Sequence, residues 1–416
     1  MRAHTFDFVH KYAAKLAHQV QSVLAKIELC RTKALGGHVY SCPSCDFELP
    51  VYNSCRDRHC PQCSAGRRAQ WLEKTTPLLL PGVLYFQLVF TLPSQLRSFA
   101  LGNRKSIFDL LMRAAWQALD ELLRETLGVE PAAQMILHTW NQELDVHPHV
   151  HALVPGSFPS LDGQQWVTTR HPKHRRRRKP YLCDNIALGQ RFRAKFIVGL
   201  TKLFRQGLLQ FEHASSAKPV AFQAWLDELS EMDWNVFIQA PPANDSDPAQ
   251  IAKYLARYMT GGPISDARLI AHANGEVVFW ARSRDQHNRS RPFRLSGRQF
   301  VHQWSQHILP KGFTKSRAYG GYHNTKRTAY LPLCRDLLRP PIGQPTASAA
   351  AVAQPPSEGT RAHERTCPRC ESMLIRRGEP TRIGWNEAFS GPDRPDWYYA
   401  FLGGHCQGFR WYRKGY

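Results

Sequence analysis

The sequence predicts an α+β protein, with antiparallel strands and amphipathic helices through most of the chain and a zinc-binding module ahead of them. Three observations carry that expectation: paired cysteines near the start, long stretches of helical periodicity after them, and a hairpin marked by histidines.

The start, "MRAHTFDFVHKYAAKLAHQV", is amphipathic with scattered charges and lacks the uninterrupted apolar core of a secretion signal. Six of the eleven cysteines fall between Cys30 and Cys63. Cys42 with Cys45 ("CPSC") and Cys60 with Cys63 ("CPQC") form two C-x-x-C pairs, fourteen residues apart. Four thiolates at that spacing suit one tetrahedral structural zinc. Cys30, His38, Cys55 and His59 interleave with them and are candidates for a second, cross-braced zinc. Arg31, Lys33, Arg56, Arg58, Arg67 and Arg68 lie in the same segment with Tyr40 and Tyr52, a composition suited to phosphate contact and base stacking. The N-terminal helix and this module are expected over residues 1–75.

Next, "LPGVLYFQLVFTLP" reads as a buried strand, and Ile107, Leu110, Leu111, Ala114 and Ala118 recur at helical spacing. In "LHTWNQELDVHPHVHALVPG", His147, His149 and His151 stand two residues apart. A strand sends all three to one face and Val150 and Ala152 to the other. The polar "NQELD" turns the chain back on "QMILHTW", which brings His138 beside His149 and His151. Three imidazoles with an open position make a catalytic rather than a structural metal site; His147 and Glu143 are the alternatives to His138 as third ligand.

The run "TTRHPKHRRRRKP" reads as a phosphate-seeking loop, followed by a helix over about 185–206 and a strand in "DWNVFIQA". Asp247, Pro248, Gly261, Gly262 and Pro263 punctuate a further helix. Tyr254 and Tyr258 fall on one face of it, about 6 Å of rise apart, flanked by Lys253 and Arg257. Two core aromatics on a buried stripe are the plainer account of such a pair. "LIAHANGEVVFW" reads as a hairpin on Asn274 and Gly275. Lys315 and Arg317, interleaved with Tyr319 and Tyr322, are candidate DNA tracks. The larger domain is expected over 76–338, a Pro-, Ala- and Ser-rich linker over 339–363, and a tail over 364–416. The tail carries half a zinc site, Cys367 and Cys370, for which His405 and Cys406 are the candidate completing ligands.

With 55 Lys plus Arg against 33 Asp plus Glu, the chain has a formal charge of +22. That excess implies a polyanionic partner, and nucleic acid rather than a membrane, since the apolar runs are too short or too broken by proline to span a bilayer. A cytoplasmic location is expected, where eleven cysteines argue for metal rather than disulfides. The chain has no G-x-x-x-x-G-K-[ST] loop.

The order "CRTKALGGHVYSCPSC…YNSCRDRHCPQC", "LVFTLP", "LHTW", "HPHVH", "YLARY" and "LPKGF" resembles the two-tyrosine HUH rolling-circle transposases of the IS91 insertion-sequence family, over roughly residues 25–335. HUH denotes histidine, hydrophobic residue, histidine: here His149, Val150 and His151. The resemblance implies an HUH endonuclease-like sheet of about five antiparallel strands flanked by helices, with metal on the central strands and the tyrosine helix packed across them. It implies attack by Tyr254 or Tyr258 on single-stranded DNA at element ends and target, giving a 5′-phosphotyrosine and a free 3′-hydroxyl. It also implies magnesium or manganese at the histidines, although three imidazoles by themselves suggest zinc and a hydrolytic water. Any helicase has to come from elsewhere, the host being one source. A plasmid replication initiator or relaxase, a non-catalytic zinc-dependent DNA-binding protein and a zinc hydrolase remain open alternatives.

Overall fold

The computed structural model describes residues 2–12, 16–170, 180–240, 262–282, 289–339, 365–379 and 381–395. Its residues form two compact units, Met1–Cys63 with Pro340–Tyr416, and Ser64–Arg339.

In the first unit the helices Arg2–Tyr12 and His18–Leu29 precede a hairpin of β1 (Gly37–Ser41) and β2 (Glu48–Tyr52). The strand Ile375–Arg377 pairs antiparallel with the other edge of β1, with Ser41 opposite Ile375 and Val39 opposite Arg377. These boundaries differ from those the sequence suggests. The described part of the tail belongs with the N-terminal module, and Ser64–Thr75 begins the second unit. A central strand needs backbone partners on both edges, and local periodicity cannot show a partner more than three hundred residues away. The proposed linker, apart from Arg339, lies outside the described residues.

In the second unit, β3 (Tyr85–Thr91), β4 (Ala132–Trp140) and β5 (Val146–Pro155) are followed by the short pair β6 (Ser157–Pro159) and β7 (Trp166–Thr168). Then come β8 (Val236–Gln239), the three-stranded sheet of β9 (Leu269–Ala273), β10 (Glu276–Arg282) and β11 (Ser290–Ser296), and β12 (Ser316–Gly320). Asn274 and Gly275 turn the β9–β10 hairpin at φ 53° and 75°, the left-handed pair that a two-residue turn requires. The main sheet has five strands in the order β12, β4, β5, β3, β8, and every pairing is antiparallel. Together with its helices it gives the expected α+β fold.

Strand alternation divides this sheet into two chemically different faces. Phe86, Leu88 and Phe90 of β3, Met135 and Leu137 of β4, and Val150, Ala152 and Val154 of β5 join one core. The helices Arg104–Leu127 and Asn185–Arg205 cover it with Leu111, Ala115, Phe192 and Phe196. Each large side chain so buried contributes about 1.5–3 kcal/mol. Asp184 caps the second helix by accepting from the Ile186 and Ala187 N–H groups. Gly199 lets the two helices close: a Cβ there would meet Leu110 Cδ1 at 2.1 Å.

The opposite face is apolar at one end, where Tyr85, Ala132, Ile136 and Leu153 pack with Tyr322, Tyr330 and Leu331. Tyr322, read from the sequence as part of a DNA track, is fully buried with its hydroxyl 3.1 Å from that of Tyr85. Tyr319 stacks on Trp116, so both tyrosines are packing residues. Basic neighbours in sequence obscured this, because alternate residues of a strand face different surroundings. At the other end of the face stand His138, His149 and His151.

Their hairpin turn is held in place by hydrogen bonds. Asn141 Oδ1 accepts from the Glu143 and Asp145 N–H groups, and Leu144 sits buried at φ 69°. His307, beyond the helix Gly297–Ser305, donates from Nε2 to the Leu144 carbonyl at 2.9 Å, and its Nδ1 accepts from the Thr139 hydroxyl at 3.1 Å. Burial pushes the His307 pKa down to about 4, which keeps the ring neutral in this arrangement. An unfolded histidine titrates near ~6.5, so between these values only the unfolded chain takes up the proton. The stability linked to this ring is complete above that range and is lost as pH falls toward 4, by about 2 kcal/mol at pH 5. Urea midpoints at pH 7.5 and pH 5 check this. His307→Gln should be less stable at pH 7.5 yet lose less on acidification, and an equal loss in both proteins would refute the assignment.

Candidate active site and metal centres

Pairing of β4 with β5 sets His138 opposite His149 and Ile136 opposite His151. His138, His149 and His151 each offer a ring nitrogen, all within 4.8 Å of one another. The Nε2 atoms of His149 and His151 are 3.1 Å apart. His149 donates from Nδ1 to the His147 carbonyl at 2.7 Å, which leaves its Nε2 as a bare lone pair. Gln87, on the neighbouring β3, places its side-chain amide 3.0 Å from His151 Nδ1. Half a turn of that amide switches it between donating and accepting, and only the accepting orientation puts the His151 proton on Nδ1 and a lone pair on Nε2, as a cation requires. The same half turn gives a partner to Gln87 Oε1, which is otherwise buried without one.

Burial, opposed in part by the His147 carbonyl and reinforced by Lys315, pushes His149 down to about 4. Burial, with His149 and Lys315 beside it, pushes His151 to about 3. Both rings are therefore neutral near pH 7, the form a metal requires. His147 lies nearer the turn and meets Arg97 Nη2 at 3.2 Å through its Nδ1. Glu143 pairs with Arg291 at 3.8 Å. Neither alternative third ligand is grouped with the other two histidines.

Tyr254, Tyr258, Lys253 and Arg257 lie outside the described residues, as do residues 171–179 of the basic run. Of the other cations expected at DNA, Arg56 and Arg58 are exposed on the first unit. Lys315 sits 4.9 Å over the Trp140 ring, close to the histidines. Arg317 pairs with Asp109 and packs over Phe313, so its charge is balanced within the fold.

The cysteines group differently from the sequence expectation. Cys60 and Cys63 come together with Cys30 and Cys55, while Cys42 and Cys45 come together with Cys367 and Cys370. The two C-x-x-C pairs sit at opposite ends of the β1–β2 hairpin. Five strand residues separate those ends by about 17 Å, far beyond the reach of one ion with bonds of about 2.3 Å. His38 and His59 belong to neither group: His38 packs edge-on to Tyr40, and His59 Nδ1 meets Asp57 Oδ1 at 3.0 Å. His405 and Cys406, the candidate completing ligands for the tail pair, lie outside the described residues. In the first group the Sγ separations are 3.8 Å for Cys30–Cys63, 3.7 Å for Cys55–Cys63 and 3.7 Å for Cys30–Cys60. A ZnS4 tetrahedron with bonds of about 2.3 Å has edges of about 3.8 Å, so this donor set fits the ion. Negative charge settles first on Cys60, which hydrogen bonding from Cys55 holds down to about 5.

Gln87 and His307 escaped the sequence reading, since each acts through a strand or turn distant in the chain. The half-site "CPRC", of the same form as "CPSC", was the available signal for the second thiol group.

Comparison with known proteins agrees with this geometry. Residues 1–92 match a family model described as "Transposase zinc-binding domain", of the IS91 type, and residues 133–329 match one described as "Putative transposase". The chain is 35% identical over 384 residues to the "Putative transposase y4qJ" of Sinorhizobium fredii, covering 89% of this chain and 91% of that one. It is 26% identical over 339 residues to the transposase for insertion sequence element IS801 of Pseudomonas savastanoi pv. phaseolicola, covering 79% and 76%. With a zinc-binding front, a histidine-bearing antiparallel sheet and this similarity along most of its length, the chain belongs to the IS91 family of insertion-sequence transposases.

Proposed function

We propose that the protein nicks and rejoins single-stranded DNA through 5′-phosphotyrosine intermediates, moving its element by rolling-circle transposition. The observation that carries this reading is the convergence of His138, His149 and His151 on one face of the central strands. Family membership and the +22 charge support DNA as substrate. A divalent cation held by the three imidazoles, magnesium or manganese by the family resemblance, would polarise the scissile phosphate.

The chain's own residues supply the rest. The hydroxyl of Tyr254 or Tyr258 forms the new O–P bond, the P–O3′ bond breaks, and the 3′-hydroxyl leaves with the proton. The phosphodiester's free energy is kept in the tyrosine ester, so rejoining needs no nucleotide, in keeping with the missing phosphate-binding loop. Two phenols serve two ends, because one already esterified cannot attack again. Lys315, beside the histidines, is placed to meet a phosphate, and Arg56 and Arg58 would add sequence-independent contacts. Strand separation falls to a helicase of the host, and the site of action is the cytoplasm, at the nucleoid. In the first unit, Cys30, Cys55, Cys60 and Cys63 would hold a structural zinc.

The decisive experiment is incubation with single-stranded DNA carrying the element's ends, with manganese or magnesium, followed by a search for a denaturation-resistant protein–DNA adduct. His138→Ala, His149→Ala and His151→Ala should each abolish the adduct and leave DNA affinity within about twofold, since affinity comes mainly from phosphate contacts. Tyr254→Phe and Tyr258→Phe should each keep single-end nicking and lose complete transfer, and the double variant should form no adduct. An adduct from the double variant would place the nucleophile elsewhere, and DNA binding without any nicking by the wild type would favour the non-catalytic reading.

For the first thiol group, Cys55→Ser and Cys60→Ser should each cost one zinc per chain, and the two together no more than one. Metal analysis reads the result. Loss of a second equivalent in the double variant would show that the two residues serve different ions.

A further inference from the structure

We propose that Cys42, Cys45, Cys367 and Cys370 form a second structural zinc site, and that its ion clamps the C-terminal segment onto the N-terminal hairpin. The family models end at residue 92 and span 133–329, so neither reaches the two tail cysteines.

The geometry is that of a tetrahedral thiolate site. Sγ separations are 3.3 Å for Cys42–Cys370, 3.7 Å for Cys45–Cys367 and 3.8 Å for Cys45–Cys370. A disulfide would need about 2.05 Å, whereas the edge of a ZnS4 tetrahedron is about 3.8 Å. The two halves are built alike. The Ser44 N–H donates to Cys42 Sγ at 3.4 Å, and the Arg369 N–H donates to Cys367 Sγ at 3.4 Å, each from two residues further on. Such donors orient and stabilise thiolates around a metal. Ser44 and Ser372, each two residues beyond a cysteine, meet hydroxyl to hydroxyl at 2.8 Å across the site. Arg365 and Arg369 lie over the rings of Tyr40 and Phe47 and bring positive charge to a cluster that would carry a net negative one.

The segment needs such a clamp because it has little core of its own. Of its described apolar side chains, Met373 and Ile375 are half exposed, Ile383 and Trp385 are partly buried, and Cys367, Leu374, Ala388, Phe389 and Pro395 are buried. It docks through a three-residue strand and backbone bonds from the Thr381 and Ile383 N–H groups to the Gly37 and Leu35 carbonyls. Side chains add the bonds from Asn53 Nδ2 to the Thr381 carbonyl and from Arg377 Nε to Ser41 Oγ, Lys26 over the Trp385 ring, and the solvent-exposed ion pairs Arg369–Asp46 and Lys33–Asp393. Exposed ion pairs contribute little. Against them stands the entropy of closing a loop between residues at opposite ends of the chain. Metal binding free energy acts as folding free energy in sites of this kind.

Two measurements on the full chain test the clamp. Native mass spectrometry should count one zinc ion fewer in Cys367→Ser/Cys370→Ser than in the wild-type chain, whatever the histidines hold; equal counts in the two overturn the proposal. The second measurement needs no cysteine variant. A protease site is inserted within residues 340–362 and cut, and the fragment beginning there should co-elute with the rest of the chain in zinc and separate after chelation. A fragment that leaves with zinc present, or stays once the zinc is stripped, shows that no ion holds it. Neither result bears on DNA cleavage, so the clamp and the nuclease reading stand or fall separately.

Discussion

The antiparallel register of β4 with β5 fixes both the interior of the second unit and its chemistry. Val150, Ala152 and Val154 anchor the helical layer, so His149 and His151 are left on the opposite face. A slip of one residue would exchange the two sets. It would put imidazoles against Phe192 and Phe196 and valines where the ring nitrogens now converge. The apolar core therefore sets which face the histidines take, and the turn, held by Asn141 and His307, fixes the register in which His138 faces His149.

That coupling accounts for how the site is supported. Its side chains rise from the two innermost neighbours of a five-stranded sheet, and the turn joining them is pinned through His307 to a segment near residue 300. Gln87, one strand over, adjusts the tautomer of His151 without being a candidate ligand itself. Dryness has a second consequence: burial keeps His149 and His151 neutral, which suits a cation and would disfavour protonation by the medium.

In the first unit the governing length is that of a five-residue hairpin. Its strands hold one cysteine pair at the tip and another at the base, so four thiolates that share a spacing in sequence cannot share an ion. Each pair has to recruit elsewhere, the base from Cys30 and Cys55 and the tip from the far end of the chain. The tail thereby becomes part of the N-terminal unit, and its strand covers the free edge of β1.

By itself the sequence determined what is local. Periodicity gave the helix Arg104–Leu127 and the strands around "LVF" and "HPHVH", and the Asn274–Gly275 turn followed from backbone sterics. The triplet His138, His149 and His151 was legible because a short hairpin is set by alternation and one turn, both visible within twenty residues. Only the tertiary structure decided which cysteines meet, that Tyr319 and Tyr322 pack inside, that Arg317 is taken by Asp109, and that Gln87 and His307 serve the hairpin. Each of those rests on contacts between residues far apart in the chain. Residue type and spacing state what a side chain can do, whereas which partner it finds depends on the register and packing of the whole sheet.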